Sequence, residues 1–324
     1  MNQPVLEVTD LVTVFEPRGS LLRKAGGPVR AVDGVSLRLA RGEMLALVGE
    51  SGCGKTSTVQ TIMRMVSATS GSVVLDGEDI TAASHRRMRP LRRRLQIVYQ
   101  DPYEALDPRF RVRQTLEEPL LIHTKMSRTQ RQDAVIAALE TVGLTPAETF
   151  LERFPHELSG GQRQRVAIAA ALILEPDVLI ADEPVSMLDV SVRAGILDLL
   201  DRLRRERGLA ILMITHDLAT AARFADRIAV MYLGRIVEEG AAAEVVGQPR
   251  HPYTQALLSV VPERDPLRTR APLLLVGEPP NAANVPPGCR FHPRCPMAEE
   301  QCVSVDPALR PLSAHHSAAC VLVN

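Results

Sequence analysis

The sequence predicts an α/β fold: a parallel sheet, interrupted by a helical insertion and followed by a Pro-rich, Cys-containing extension. Three observations carry this. The apolar run Met44 to Val48 leads directly into the glycine-rich GESGCGK and then a helix-compatible stretch, Thr56 to Met65. That is the strand, loop, helix order of a mononucleotide-binding unit. Alternation of strand and helix patterns resumes from Asp177, after a stretch with helical spacing only. Past about Gln248, nine prolines from Pro249 to Pro287 make regular elements hard to sustain.

The chain has 324 residues, 45% apolar and 23% charged, with 38 basic and 38 acidic side chains. The zero balance gives no global drive toward nucleic acid or anionic lipid. The start, MNQPVLEVTD, has neither a basic nor an apolar segment of the secretory kind. The longest apolar run, Ala167 to Leu174, is far short of the roughly 20 residues of a spanning helix. A soluble, cytoplasmic protein is expected.

In chain order, Val5 to Val8 and Val35 to Leu39 alternate as half-buried strands, and Met44 to Val48 reads as a fully buried one. GSVVLDG, from Gly71 to Gly77, reads as a short strand between turns, and Leu95 to Tyr99 as another. DPYEALDP, from Asp101, is a turn-rich linker. Val112 to Leu121, Arg128 to Val142 and Thr149 to Phe154 have helical spacing, giving a helical subdomain at about 101–175. Strand Val178 to Ala181, helix Val190 to Arg207 and strand Ala210 to Thr215 follow. Ile228 to Tyr232 and Arg235 to Glu238 flank the turn Leu233-Gly234.

Gly49-Glu50-Ser51-Gly52-Cys53-Gly54-Lys55-Thr56, followed by Ser57, matches the G-x-x-x-x-G-K-S/T phosphate loop. Its glycines let backbone N–H groups face a phosphate, and the following helix adds its positive end. Lys55 is expected to reach the β- and γ-phosphates and Thr56 to ligate Mg²⁺. With 35 arginines and only three lysines in the chain, a lysine at this position is not drift. LIADEP delivers Asp182 and Glu183 at the end of an apolar strand, where α/β sheets bind ligands. Asp182 suits Mg²⁺ and Glu183 the polarisation of an attacking water. Ser159-Gly160-Gly161-Gln162 is a second capped helix start, about 110 residues after the first.

LSGGQ, taken with the two preceding motifs, resembles the ABC-type ATPases over about residues 5–248. The resemblance implies a P-loop ABC ATPase domain, a mixed-sheet core with an inserted helical subdomain, in residues 1–248. It also implies that Ser159, Gly160, Gly161 and Gln162 complete the partner subunit's ATP site. Gln100 resembles the glutamine that senses Mg²⁺ and contacts the membrane subunits. Ser186-Met187-Leu188-Asp189 resembles the D-loop, with Met187 where alanine is commoner. His216 resembles the switch histidine near the γ-phosphate, and Phe15 the aromatic residue stacked on adenine. Some 11 extra residues separate Phe15 from Val32.

Arg86, Arg87, Arg89, Arg92, Arg93 and Arg94 form a basic run on a short helix. Without interleaved aromatics it reads as a solvated face rather than a nucleic-acid site; anionic lipid headgroups are a third option.

The HPYTQAL at His251 and the GCRFHPRCP at Gly288 resemble the C-terminal extension (249–324) of oligopeptide and dipeptide importer ATPases, as do VYQDPYEALDPR and HELSGGQRQRVAIAAAL. The resemblance implies an ATPase subunit powering peptide import from the cytoplasmic face of the cell membrane. Its expected partners are two permease subunits, a second ATPase subunit (copy or paralogue) and, indirectly, an extracytoplasmic peptide-binding protein. No nucleic-acid partner is expected. A nickel or other small-solute importer, and a non-transport ABC ATPase, are the alternatives.

Cys289, Cys295, Cys302 and Cys320 are separated by five, six and seventeen residues in a segment poor in apolar material. In a reduced compartment this spacing suggests a metal centre. Four thiolates without tight pairs suit an iron–sulfur cluster better than zinc, and the family resemblance implies a 4Fe–4S cluster. His292, His315 and His316 keep zinc as an alternative, and four free buried thiols are the plain one.

Overall fold

The computed structural model describes residues 3–16, 27–261, 273, 275, 277–278 and 280–323. Lys24 and four of the tail prolines, Pro262, Pro266, Pro272 and Pro279, lie outside the described residues, as does most of the insert after Phe15. In chain order the strands are β1 Pro4–Phe15, β2 Val29–Ala40, β3 Met44–Val48, β4 Ser70–Leu75, β5 Glu78–Asp79 and β6 Leu95–Val98. They continue with β7 Val178–Asp182, β8 Ala210–Thr215, β9 Arg227–Tyr232, β10 Arg235–Ala241, β11 Arg310–Ser313 and β12 His316–Ala318.

Two compact units divide the chain. The first comprises 1–5, 39–44 and 83–214. Its strands β6, β7 and β8 pair in parallel, with Ile97 beside Ile180 and Ile180 beside Leu212. Strands β7 and β8 are buried at every position, which is why their sequences run apolar without alternation. The helical insertion lies in this unit, with Val112–His123, Arg128–Thr141 and Gly160–Leu172 as its main helices. The linker at Asp101 also holds a short helix, Pro102–Ala105. Asp101 caps it by accepting from the Tyr103 N–H at 2.7 Å, and Pro102 needs no hydrogen bond at the first helical position. The expected helix at Thr149 to Phe154 is shorter, Glu148–Leu151.

The second unit comprises 6–38, 45–82 and 215–324. One sheet has the order β2-β1-β4-β5, and β1 pairs antiparallel with β4. The other runs β11-β12-β10-β9-β3, and only the β3–β9 contact is parallel. The β9–β10 hairpin turns at Leu233-Gly234, both at positive φ (41° and 83°), the conformation that matches strand twist in a two-residue turn.

The tail is more regular than its prolines predict. Helix Pro252–Ser259 begins on Pro252, and β12 adds to the edge of β10, with Gly240 opposite His316. Gly240 is required there: a Cβ would stand 2.7 Å from the His315 carbonyl oxygen. The Glu238 carboxylate, fully buried, anchors this junction. It accepts from the backbone N–H of Arg250 (2.7 Å) and of His251 (2.9 Å), and from His316 Nε2 (2.7 Å).

In the basic run, Arg94 departs from the solvated-face reading. It joins Arg41 on Asp177, at 2.6 and 2.7 Å. Burial alone would raise the Asp177 pKa, but the two guanidiniums outweigh it and hold the carboxyl below its usual range. Arg86, Arg87, Arg89 and Arg93 are exposed.

Candidate functional site

In the second unit, buried β3 delivers the chain into Gly49, and the loop closes into the helix Lys55–Ile62. Two glycines are fixed by crowding. A Cβ on Gly49 would stand 2.3 Å from the Met231 carbonyl oxygen, and one on Gly54 would stand 2.2 Å from that of Ala31. Gly54 also sits at φ 109°. Lys55 is 6% exposed and curls over the loop, its Nζ donating to the carbonyls of Gly49 (2.7 Å) and Glu50 (2.9 Å). The Thr56 side chain is exposed at the first turn, and Ser57 half-buried. Cys53 is buried, which pushes its thiol pKa up; it is a packing residue beside Lys55 rather than a nucleophile. His216 follows β8 at an exposed position, and Phe15, 38% exposed, ends β1.

In the first unit, β7 ends on buried Asp182, and Glu183 turns the chain at φ 45°. For a non-glycine residue this backbone costs on the order of 1–3 kcal/mol. The Glu183 N–H is tied to the Ile214 carbonyl at 2.9 Å, and its own carbonyl accepts from Ser186. Gln100 Nε2 lies 3.3 Å from Glu183 Oε2, so two residues singled out from separate motifs meet. Ser159 caps Gly160–Leu172: its Oγ accepts from the Gln162 N–H (3.3 Å), and its N–H donates to Gln162 Oε1 (3.0 Å). Gly161 has no room for a side chain, since a Cβ would stand 2.6 Å from Val192. Asp189 is exposed at the start of Val190–Arg207.

The cysteine segment lends no support to the expected metal centre. Among the described residues, no three His, Cys, Asp or Glu side chains are grouped so as to hold a metal ion. Burial raises the thiol pKa values of Cys289, Cys295 and Cys320. The structure therefore gives the iron–sulfur and zinc readings no support, although the thiols of Cys289, Cys295, Cys302 and Cys320 lie within electrostatic reach of one another. The premise of a missing core also fails, because Phe291 is buried against the rings of Tyr232, Tyr253 and His251 at 5.3, 5.4 and 5.6 Å. The Cys289 N–H donates to the Cys302 carbonyl at 2.9 Å, so backbone closes this loop.

Several side chains of these motifs have partners that the sequence does not announce. Arg294 forks onto the Glu50 carboxylate, and the Tyr253 hydroxyl accepts from the Glu50 N–H. Arg290 pairs with Asp33, which Arg30 and Arg235 also face. Burial would raise the Asp33 pKa, but these three cations hold it below the usual range. Separations of 203 to 257 residues for the contacts that reach the tail leave no local signal.

Buried His251 accepts from the Tyr253 N–H on Nδ1 at 3.1 Å, and burial lowers its pKa to about 3. The unfolded chain takes up that proton near pH 6.5. Stability is therefore complete above pH 6.5 and declines as the pH falls toward 3, at up to about 1.4 kcal/mol per pH unit. His123, lowered by burial and by Arg89 and Arg93, acts in the same direction. The denaturant midpoint should be lower at pH 5 than at pH 7; equal midpoints would contradict a buried neutral His251.

The family model "ABC transporter" matches residues 32–186, and "Oligopeptide/dipeptide transporter, C-terminal region" matches 237–302. The probable peptide ABC transporter ATP-binding protein y4tS of Sinorhizobium fredii is 44% identical over 99% of this chain and 90% of its own. The oligopeptide transport ATP-binding protein AppF of Bacillus subtilis is 43% identical over 99% and 98%. The chain belongs to the ABC transporter family. The dipeptide transport ATP-binding protein DppF of Escherichia coli is another ABC relative, 44% identical over 96% of this chain and 92% of its own. Among solved ABC structures, the ATP-binding cassette MJ0796, described as a dimer in a post-hydrolysis state bound to ADP and Pi, is 28% identical. It aligns with a TM-score of 0.64 over 73% of this chain and 98% of that one. This ABC chain has no helix long and apolar enough to cross a membrane among the described residues.

Proposed function

We propose that this chain is the ATP-hydrolysing subunit of an importer for di- or oligopeptides. The observation that supports it most is identity of 43–44% to peptide-transport ATP-binding proteins along nearly the whole chain, phosphate loop and tail together. Residues 1–248 are read as the ATPase domain, 101–175 as its helical subdomain and 249–324 as the importer-type extension. The subunit works at the cytoplasmic face of the membrane, with two permease subunits and an extracytoplasmic peptide-binding protein.

The loop fits a triphosphate: Gly49 and Gly54, where a Cβ would strike the Met231 and Ala31 carbonyls, let the loop backbone turn tightly ahead of the helix, and buried Lys55 supplies a cation. Phe15 stacks on adenine, Lys55 faces the β- and γ-phosphates, and the N–H groups of residues 49–57 surround them. Thr56, Gln100 and Asp182 would hold Mg²⁺, which when bound neutralises charge on the phosphate oxygens. Glu183 accepts a proton from the attacking water and His216 orients the γ-phosphate. Ser159, Gly160, Gly161, Gln162 and Asp189 face the nucleotide of a second ATPase subunit. Closure and reopening of this dimer switch the permeases between their two states.

Ser159→Arg tests the shared site. The substitution loses a cap of about 1 kcal/mol and puts a long cation at the helix start. ATP affinity of the monomer should stay within about threefold of wild type (~0.6 kcal/mol), while ATP-dependent dimerisation by light scattering and hydrolysis are both lost. An inactive variant that still dimerises normally with ATP would overturn the shared-site reading.

A further inference from the structure

Among the described residues, the tail hydrogen-bonds the phosphate loop at Glu50 and holds it at two points. The Glu50 N–H donates to the Tyr253 hydroxyl at 2.9 Å. Its carboxylate accepts a two-pronged bond from Arg294, Nη1 to Oε2 at 2.7 Å and Nη2 to Oε1 at 3.1 Å. The Arg294 side chain is 7% exposed, and Glu50 keeps it firmly charged. Its guanidinium lies 6.0 Å from the Tyr232 ring centre. Tyr232 in turn packs on Tyr253 (4.8 Å) and Phe291, so both anchors grow from one buried aromatic cluster. Arg290 repeats the pattern one turn away. It bonds Asp33 and the Leu233 carbonyl, and the hairpin turn there donates from the Gly234 N–H to the Cys53 carbonyl at 2.7 Å.

Charge gives this arrangement a purpose. The Glu50 carbonyl is one of the two that hold Lys55 Nζ. Its carboxylate is a negative charge on the second residue of a loop meant for a polyanion. Unpaired, it would repel the triphosphate and be free to bond the loop's own N–H groups.

We propose that Arg294 is a positioning residue for the phosphate loop, assisted by Tyr253: it neutralises Glu50 and turns its carboxylate away from the nucleotide. Through Arg294 the extension sets ATP affinity. This rests on reading residues 49–56 as the nucleotide loop.

The test is calorimetric titration of ATP into the full-length chain, with hydrolysis followed in parallel. Arg294→Met should weaken ATP binding about tenfold, as loss of one well-placed charge partner does. KM for ATP should rise accordingly, while kcat at saturating ATP stays within about twofold (~0.4 kcal/mol). Adding Glu50→Gln should recover most of the lost affinity, because the uncompensated charge is gone; a purely structural defect would not be rescued. Tyr253→Phe keeps the ring in its cluster and removes only the acceptor, so it reads out the same loop if Arg294→Met folds poorly; a loss of about threefold is expected.

Single variants that bind ATP as wild type does, or a double variant no better than Arg294→Met, would overturn the proposal. A wild-type chain that binds no ATP would instead overturn the nucleotide reading of the loop.

Discussion

Glu183→Gln protein should bind ATP, form a stable ATP-dependent dimer and hydrolyse ATP slower by on the order of 10²-fold or more. The geometry explains why so small a change has so large an effect. Glu183 is fixed by its backbone, with its N–H on the Ile214 carbonyl and its φ at 45°. Its side-chain oxygen already sits 3.3 Å from Gln100 Nε2, and an amide offers an oxygen to the same partner. Position and shape survive; the capacity to accept a proton does not. Hydrolysis at near-normal rate would remove Glu183 from the role of base.

Lys55→Ala should fail at the earlier step. Lys55 is buried and spans the carbonyls of Gly49 and Glu50, so it both shapes the loop and supplies its positive charge. Charge-assisted hydrogen bonds contribute about 1.5–3 kcal/mol each, so ATP affinity should fall on the order of 10- to 100-fold. The contrast between the two variants is diagnostic. Glu183→Gln keeps binding and loses turnover, whereas Lys55→Ala loses binding, seen by titration with ATP. Equal ATP affinity in Lys55→Ala and wild type would contradict the phosphate-loop role.

What could be read in advance was local. Met44 to Val48 is an unbroken apolar run and becomes a fully buried strand. The glycines at 49 and 54 stand at fixed spacing because carbonyls of Met231 and Ala31 exclude a Cβ. Ser159 and Gln162 cap a helix by a rule that needs only three residues' separation. Long-range pairing was not legible. Nothing near Glu50 announces Arg294, 244 residues on, and nothing near Asp33 announces Arg290. The long strand β1 showed only as a fragment, since alternation is interrupted where Asp10 takes φ 45° and a bulge shifts the register with β4.

The packing around the cysteines was hidden for a similar reason. Their spacing drew attention to sulfur, while the segment is held by Phe291 in an aromatic cluster and by two arginines on Asp33 and Glu50. Composition undervalued a core made of four rings from three separate stretches of chain. The tail's strands were missed because β12 is only three residues long and gains its hydrogen bonds from β10.

The central claim is that ATP hydrolysis by this chain drives peptide import. The direct measurement is uptake of a labelled di- or oligopeptide by right-side-out membrane vesicles carrying the permease subunits and binding protein, loaded with ATP on the cytoplasmic, luminal side. Wild-type chain should support ATP-dependent peptide accumulation, and the Glu183→Gln chain, assembled in the same complex, should support none. Peptide uptake that persists with Glu183→Gln, or a wild-type complex that hydrolyses ATP and accumulates nickel but no peptide, would contradict it.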